Sequence, residues 1–427
     1  MLVCIASLVD KQSDTPNDRD RVSGRSNLRC TFYVKALKSS RVTKGPKRNW
    51  EVKLKPLSYI KKIDYTLVFV ILALFTIGMI AIWVATDTEN FIAGESSNYI
   101  FKQLVAFTIG VVGMIIVMSI DYHFLGQYWI HIYILCLVLL VIVWMPGIGV
   151  VNKGTRGWIN LGFMELQTSE IGKLLFIISF GKLLDKRKDK LNRIVDLLPL
   201  ALFITPVIAL IAIQPDMGQA LVYVVIAAGM LFVAGLNTKY IYGVIASVIV
   251  GFPLLWNFYM HDYQKKRLIT FFNPANDPLG DGYHAIQSMT AIGSGGVFGK
   301  GFGAENTMTK LNYLPAQWTD FIFSVISETT GFIGATVVVL LFGLFLYRLL
   351  KGASEAKDHY GTLIISGVFF MFLFQIVENI GMTMGIMPIT GITLPFLSYG
   401  GSSIMTNMII IGMVLNVYIR RRYIDFT

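Results

Sequence analysis

The sequence predicts an all-α integral membrane protein with about ten transmembrane helices and both termini in the cytoplasm. Of its 427 residues, 54% are hydrophobic and only 15% are charged, and the mean hydropathy is +0.61. Soluble domains carry about 25% charged residues. Long apolar runs, and the positions of the basic residues between them, are the other two observations behind this prediction. Together they exclude a soluble globular enzyme.

The apolar runs have the length that a membrane helix requires. A hydrocarbon core about 30 Å thick needs roughly 20 apolar residues per helix. The sequence predicts ten spans, at about 64–85, 100–120, 127–146, 168–184, 196–214, 217–235, 238–257, 319–347, 361–383 and 393–419.

The basic residues predict the orientation of these spans, because Lys and Arg concentrate on the cytoplasmic side. With the N-terminus inside, the inner segments carry 28 Lys or Arg and the outer segments carry 7. Five of those 7 lie in one long segment, 258–318, where the charge rule has least force. We therefore expect 258–318 to be a large extracellular loop between the seventh and eighth spans.

The net charge of +11 is concentrated in one place. Residues 1–63 hold 15 Lys or Arg against 5 Asp or Glu, and the remainder is nearly neutral. We expect 1–60 to be a basic, disordered cytoplasmic tail that touches anionic lipid, and 61–427 to be the polytopic membrane domain. This distribution does not predict a nucleic-acid partner, and the tail lacks the apolar core of a signal peptide.

Other common chemistries are excluded by residue type. The three cysteines form neither a disulfide framework nor a zinc set. The five histidines are dispersed and none belongs to an HExxH motif. We predict no protein metal-ligand set.

Ionisable residues inside the spans are functional candidates, since each costs roughly 2.5–3.5 kcal/mol to insert. The fourth span begins with Glu170 and Lys173, which share a helix face at i, i+3. The eighth span begins near Asp320, followed by Ser324 and Glu328 in one polar stripe with about 12 Å of rise. The alternative is structural: Glu170 and Lys173 neutralise each other, and Asp320 caps its helix.

Outer segments next to these stripes carry cations, an aromatic residue and glycines. Lys153 and Arg156 flank Trp158, which is either a substrate contact or an interfacial anchor. The glycine-rich run 293–301 lacks the P-loop pattern, so we expect it to turn the backbone back into the bundle. Asp216, followed by Gln219, is a capping-box residue more than a catalytic one.

The segment 378–403 contains two prolines and repeated glycines within apolar sequence. This pattern indicates a broken, re-entrant segment. Such backbone is tolerated only where it is buried in protein or lines a wet cavity.

These motifs, in this order, resemble the SEDS family (shape, elongation, division and sporulation). The resemblance covers about 60–420. It rests on KGTRGWINLG at 153–162 with TSEIGK at 168–173, QPDMGQAL at 214–221, GYHAIQSMTAIGSGGVFGKGFG at 282–303, LPAQWTDFIFSVI at 314–326, and NIGMTMGIMPITGITLPFLSYGGSS at 379–403. The family's Pro-Glu-x-His-Thr-Asp is Pro-Ala-Gln-Trp-Thr-Asp here, so the neighbouring acid and histidine are missing and the final Asp320 is retained.

The resemblance implies a peptidoglycan glycosyltransferase that polymerises lipid II at the outer face of the bacterial plasma membrane. It also implies two kinds of partner, a class B penicillin-binding protein and other elongation-complex membrane proteins. The family's key acid matches Asp320, and its functional tryptophan matches Trp158. Other residues of the matched motifs are expected to bind substrate: Gln287, Ser288, Thr319, Ser398 and Ser402. Four more are expected to be structural motif residues: Asp216, Asn379, Pro395 and Gly400.

The chemistry assigns roles to two kinds of residue. The diphosphate leaving group needs its negative charge stabilised, for which the outer cations are suited. One carboxylate is sufficient as the base for the acceptor hydroxyl, and Asp320 is our candidate. No organic cofactor is expected; a divalent cation, Mg²⁺ or Mn²⁺, bridging the diphosphate is the one cofactor left open. The cation set is Lys153, Arg156, Lys173, Arg267 and Lys300, with Glu170 beside Lys173.

Two other functions, a lipid II flippase and a membrane scaffold, remain as alternatives. A lipid II flippase needs polar groups along the whole crossing path, whereas the charges within the spans lie at their outer ends. A membrane scaffold accounts for the basic tail but not for the outer polar residues. Within the family, Lys300 in GKGF and the PITGI run favour the RodA-type elongation branch, and Thr393 is more typical of the FtsW-type division branch.

Overall fold

The computed structural model describes residues 63–87, 95–152, 155–160, 165–188, 194–237, 262–277, 280–314 and 316–421, with a few single positions between them. The predicted tail 1–60 and Lys153 lie outside the described residues, as does most of the seventh span at 238–257. The described part of the chain is mainly helical. The helices are α1 Tyr65–Thr86, α2 Glu95–Ser119, α3 Tyr122–Gln127, α4 Trp129–Ile142, α5 Thr168–Arg187, α6 Ile194–Ile213, α7 Met217–Val233, α8 Asp262–Phe272, α9 Asp281–Ser294, α10 Ile322–Glu355, α11 His359–Thr383 and α12 Gly401–Ile419.

Six of these helices are long and apolar enough to cross a membrane: α1, α2, α6, α10, α11 and α12. Two shorter apolar helices, α4 and α7, add to them. Their outward faces expose large apolar side chains, as lipid-facing surfaces do. The chain is a multi-pass membrane protein, as predicted. We call the end of the bundle that carries residues 149–167 the outer end, following the predicted orientation.

Close helix packing builds the core. α12 lies along α2, where Gly412 lets the two backbones approach: a Cβ at Gly412 would lie 2.6 Å from the carbonyl oxygen of Met114. Small residues at membrane-helix interfaces allow this close packing. α10 packs between α1 and α11, and α11 also packs on α7. Of the six long apolar helices, α11 and α12 are the most deeply buried inside the bundle.

The segment before α5 forms a small antiparallel sheet. Its strands are β1 Gly149–Asn152, β2 Thr155–Asn160 and β3 Glu165–Gln167, in the order β1-β2-β3. Trp158 on β2 is paired with Val150 on one side and Gln167 on the other. A sheet was not predicted here, although two residues between β-branched runs are a recognised hairpin signal.

The long outer segment 258–318 is more ordered than a loop. It contains α8 and α9, and α9 packs against α10 and α11. Two other boundaries also differ from the prediction. α10 continues to Glu355, beyond the predicted 347, and α12 begins at Gly401 rather than at 393, because residues 384–400 are irregular. That irregular stretch is buried at Ile392, Leu394 and Leu397, so the backbone is broken here and enclosed in protein, as predicted.

Candidate active site

Asp320 lies in the turn immediately before α10, at the outer end of the bundle. Its backbone N–H donates to the carbonyl of Ala316 at 3.1 Å. Its own carbonyl accepts a hydrogen bond from the Asn379 side chain at 2.9 Å. Helix α10 begins at Ile322 with Phe321 in the N-cap position, so Asp320 lies one residue before the cap. The backbone of this turn is held by its neighbours.

The re-entrant segment holds the same turn from a second side. Ser398 donates its hydroxyl proton to the carbonyl of Thr319 at 2.6 Å and accepts from the N–H of Leu394 at 2.9 Å. Asn379, fully buried at the end of α11, also donates to the carbonyl of Ile392 at 2.8 Å. Pro395 is buried within this segment. Ser398, Thr319 and Asn379 are therefore structural supports of Asp320 in this structure.

Glu170 and Lys173 form a buried ion pair at the start of α5. The Lys173 ammonium lies 2.7 Å from a Glu170 carboxylate oxygen, and both side chains are at most 1% exposed. The other Glu170 oxygen accepts from the Gln219 side chain at 2.7 Å. The pair predicted at i, i+3 is present and is joined to α7.

Asp216 caps α7, as predicted, and links it to β3. One carboxylate oxygen accepts from the N–H of Gln219 at 3.2 Å, and the other accepts from the Gln167 side chain at 2.9 Å. Burial raises the pKa of Asp216, although both hydrogen bonds oppose this shift. Asp216 therefore serves to join helix and strand.

The sheet carries Arg156 and Trp158 at the outer end. The Arg156 guanidinium lies over the Trp144 ring at 5.6 Å from its centroid. Trp158 is half-buried in the central strand, next to Gln167, whose backbone N–H donates to the Ser402 hydroxyl at 2.9 Å. Ser402 thus attaches the sheet to the start of α12.

Segment 398–402 connects the two halves of the site. Ser398 supports the Asp320 turn, Ser402 supports the strand beside Trp158, and the N–H of Gly400 between them donates to the Gln103 side chain at 3.1 Å. The site therefore brings the predicted Asp320, Trp158 and Glu170–Lys173 regions to one end of the bundle, around one short segment.

Three of the four described cations of the predicted set are already paired with carboxylates. Lys173 pairs with Glu170, Arg267 lies 3.2 Å from Asp281, and Lys300 lies 2.9 Å from Glu328. A diphosphate would have to replace or join these carboxylates. Arg267, 39% exposed, and Lys300, 29% exposed, are more accessible to it than the buried Lys173.

α9 contributes the two remaining predicted residues. The Ser288 hydroxyl is fully buried, lies 2.7 Å from the Ser324 hydroxyl and donates to the carbonyl of Thr383 at 2.7 Å. Ser288 therefore fastens α9 to α10 and α11. The side-chain oxygen of Gln287 is buried and has no hydrogen-bond partner. Of these two residues, Gln287 has an acceptor available for a ligand.

Sequence reasoning missed several buried polar residues of the site. Gln103, Gln167 and Gln219 each join two elements, and Gln317 is fully buried near the Asp320 turn. Glu378 accepts from the Thr390 hydroxyl and lies within electrostatic range of Asp320 and Arg267. The sequence feature that could have identified them is a single amide or acid within an apolar run, as at Gln103.

The described residues contain no group of three or more His, Cys, Asp or Glu side chains that could hold a metal ion. Within these described ranges, a divalent cation would need further ligands, such as oxygens of the substrate diphosphate.

Comparison with known proteins identifies the family to which this chain is related. A family model described as a cell cycle protein, FtsW/RodA/SpoVE, matches residues 65–423. Stage V sporulation protein E of Bacillus subtilis is 38% identical over 365 residues, covering 84% of this chain and 98% of the relative. Peptidoglycan glycosyltransferase MrdB of Escherichia coli is 32% identical over 363 residues, covering 85% of this chain and 95% of the relative.

Solved structures agree in fold. A chain from a peptidoglycan synthase complex has a TM-score of 0.72 at 29% identity, covering 85% of this chain and 99% of that one. The rod shape determining protein RodA of Thermus thermophilus has a TM-score of 0.63 at 28% identity, covering 84% and 98%. Because the family match spans nearly the whole described membrane domain and these relatives align along almost their entire length, this chain belongs to the FtsW/RodA/SpoVE family.

Proposed function

We propose that this chain polymerises lipid II into glycan strands at the outer face of the bacterial plasma membrane, with Asp320 as the base. Its activity class is peptidoglycan glycosyltransferase, the name carried by its relatives in Trichlorobacter lovleyi and E. coli. The single observation that carries the proposal is the Asp320 turn, whose backbone accepts hydrogen bonds from Asn379 and Ser398 at 2.9 and 2.6 Å. Segment 398–402 also connects this turn to the sheet of Trp158.

The reaction needs one base and stabilisation of one leaving group. The hydroxyl oxygen of the acceptor sugar forms a bond to the anomeric carbon of the donor, and its proton passes to the Asp320 carboxylate. The bond from that carbon to the diphosphate oxygen breaks, and the electron pair leaves with the diphosphate. Arg267 and Lys300, the accessible cations, stabilise the charge that develops there. Because no metal-ligand group is found among the described residues, no step is assigned to a divalent cation.

The polymerase is proposed to act with a class B penicillin-binding protein that cross-links the strands. The solved complex that resembles this chain is described as coordinating polymerisation and crosslinking. We propose elongation and cell shape as the role, with division as the alternative. The 32–38% identities to sporulation, division and MrdB relatives do not separate these roles.

The Asp320→Asn variant tests the proposal. It keeps the size of the side chain and the backbone hydrogen bonds to Asn379 and Ala316 but removes the base. We expect polymer formation from lipid II, by purified protein with its penicillin-binding partner, to fall at least about a hundredfold while thermal stability is unchanged. Asp196→Asn, at the cytoplasmic start of α6, is the matched control.

Two results would contradict the proposal. Near-normal polymer from Asp320→Asn would remove Asp320 as the base. Transport of labelled lipid II across vesicles, lost in step with polymer in the same variant, would instead favour a flippase.

A further inference from the structure

The helix α10 is interrupted at Gly331, and a loop fills the interruption. Gly331 has φ +69°, a conformation that glycine adopts without strain. The carbonyls of Glu328 and Thr329 accept from the N–H groups of Lys300 and Gly301 at 2.9 and 3.0 Å. On the other side of the break, the N–H groups of Phe332 and Ile333 donate to the loop carbonyls at 296 and 297. The loop thus replaces the hydrogen bonds that the helix loses.

The Glu328 side chain attaches the next part of the same loop. Its carboxylate accepts from the N–H groups of Met308 and Thr309 at 2.7 and 3.0 Å, and from the Thr309 hydroxyl at 2.7 Å. The Lys300 ammonium lies 2.9 Å away. The side chain is completely buried, so it does not touch substrate in this structure. A buried carboxylate with several donors is strongly held, and each donor is fixed in return.

Thr309 transmits this attachment to the Asp320 turn. Its carbonyl accepts from the Gln317 side chain at 3.1 Å, and Gln317 also donates to the carbonyl of Ala85, at the end of α1, at 2.7 Å. Gln317 is fully buried. The next residue back, Ala316, accepts from the N–H of Asp320 at 3.1 Å. Hydrogen bonds, together with the peptide bond between Ala316 and Gln317, therefore connect Glu328 to the backbone of the proposed base.

We infer that Glu328 is a positioning residue for glycan polymerisation: through Thr309 and Gln317 it holds the turn that presents Asp320. This inference rests on the proposed role of Asp320. The positioning role differs from simple charge neutralisation, because three of the five contacts of the Glu328 carboxylate come from Met308 and Thr309, one from the Ser294 hydroxyl and only one from Lys300. Small displacements of a catalytic group cost large factors in rate, so loss of this attachment lowers turnover more than binding.

The test compares Glu328→Gln with Glu305→Gln, which removes an exposed charge from the same loop. Full-length proteins with their penicillin-binding partner are assayed on lipid II. We expect Glu328→Gln to lower kcat about tenfold or more, with KM for lipid II within about twofold. Amide hydrogen exchange at Met308 and Thr309 should become faster, while exchange in α11 stays unchanged. Glu305→Gln should match the parent protein in all three measurements.

Two further variants separate positioning from other roles. Gln317→Leu should lower kcat by a similar factor while the Thr309 amide stays protected, because its bond to Glu328 remains. This variant decides the matter if Glu328→Gln fails to fold. If Glu328 only neutralised Lys300, adding Lys300→Met to Glu328→Gln would restore the protection of the Thr309 amide against hydrogen exchange; we expect no restoration.

Two outcomes would overturn the inference. One is that Glu328→Gln shows fast amide hydrogen exchange at Thr309 but a kcat within about twofold of the parent protein. The loop would then be detached from residue 328 with no effect on catalysis. The other is normal turnover in Gln317→Leu. The proposed function fails by a different result, namely normal polymer formation by Asp320→Asn. Even then, the hydrogen-exchange data on Glu328→Gln show whether Glu328 holds the loop at Met308 and Thr309.

Discussion

At the scale of single residues, the site is built from buried acids that each have a specific donor. Glu170 and Lys173 are at most 1% exposed and 2.7 Å apart, and Gln219 completes the hydrogen bonding of Glu170. Removing one partner of such a pair leaves a buried charge and costs about 3–5 kcal/mol, whereas removing both is much less costly. Stability and function can therefore be separated at this pair.

We expect Lys173→Met to lower thermal stability and to abolish polymer formation. The double variant Glu170→Gln, Lys173→Met should recover most of the stability, because no unpaired charge remains and the new amide oxygen still accepts from Gln219. If the pair serves the diphosphate, the double variant stays inactive. The measurements are melting temperature and polymer made from lipid II; recovery of both in the double variant would reduce the pair to a structural role.

Trp158 poses the second question at this scale, whether it contacts substrate or anchors the sheet at the membrane surface. We expect Trp158→Ala to abolish polymer formation at an unchanged membrane level, and Trp158→Phe to restore part of it by replacing the aromatic face. Trp83→Ala, on the exposed face of α1, is the matched control for anchoring. Equal loss of membrane-inserted protein in Trp158→Ala and Trp83→Ala would favour the anchor role.

At the scale of elements, a charged cluster joins α3 to the start of α11 at the end of the bundle that is predicted to be cytoplasmic. The two ring nitrogens of His123 lie 2.9 Å from Asp121 and 2.5 Å from Asp358, and Tyr122 donates to Asp358 at 3.1 Å. Hydrogen bonds to Asp121 and Asp358 raise the pKa of His123 to about 9. Burial raises the pKa of Asp121, but its hydrogen bonds with His123 outweigh burial and bring it to about 2.

These shifts determine how the cluster responds to pH. The folded pKa of His123 lies above its ordinary 6.5, so its contribution to stability is complete below about pH 6.5 and is lost as pH rises through about 9. The Asp121 contribution is present above about pH 3.8 and is lost as pH falls through about 2.

We therefore expect the melting temperature to fall between about pH 6.5 and 9.5. His123→Gln should lower stability at pH 6.5 and remove most of this dependence. An unchanged slope in His123→Gln, measured by thermal unfolding in detergent, would show that another group causes it.

At the scale of the whole molecule, the predicted topology places the active site outside the cell and the His123 cluster inside. Glu305, exposed on the loop near Glu328, and Ser354, exposed near the end of α10, lie at opposite ends of the bundle. The chain has three native cysteines, Cys4, Cys30 and Cys136, which can be replaced to give a cysteine-free background.

In that background, we expect an impermeant thiol reagent added to intact cells to label Glu305→Cys and not Ser354→Cys. Permeabilised cells should show labelling of both. The reverse pattern in intact cells would invert the topology and place Asp320 on the cytoplasmic face.

Several features of the fold could be predicted because they depend on local sequence. The cap at Asp216 and the ion pair of Glu170 with Lys173 involve residues three positions apart. The irregular backbone near Pro395 follows from proline and glycine within apolar sequence. The sheet at Trp158 and the helices α8 and α9 were missed, because short elements next to a membrane surface have weak periodicity.

The candidate site was predicted in part. Asp320 and Trp158 were identified from their motifs, but the partners that hold the Asp320 turn, Asn379 and Ser398, lie 59 and 79 residues away from their hydrogen-bond acceptors. Lys300 was assigned to the cations for the diphosphate, and its pairing with Glu328 was not foreseen. No pattern in the sequence connects residues at such separations.

The membrane class, and the end of the bundle at which the charged residues gather, follow from the order of the amino acids alone, because placing polar groups in hydrocarbon is costly. How the outer segments meet depends on packing: segment 398–402 connects the Asp320 turn to the sheet of Trp158, and a loop is inserted at Gly331. These contacts satisfy individual buried backbone and carboxylate groups, and each such group takes its partner from whichever segment packing brings within hydrogen-bond distance.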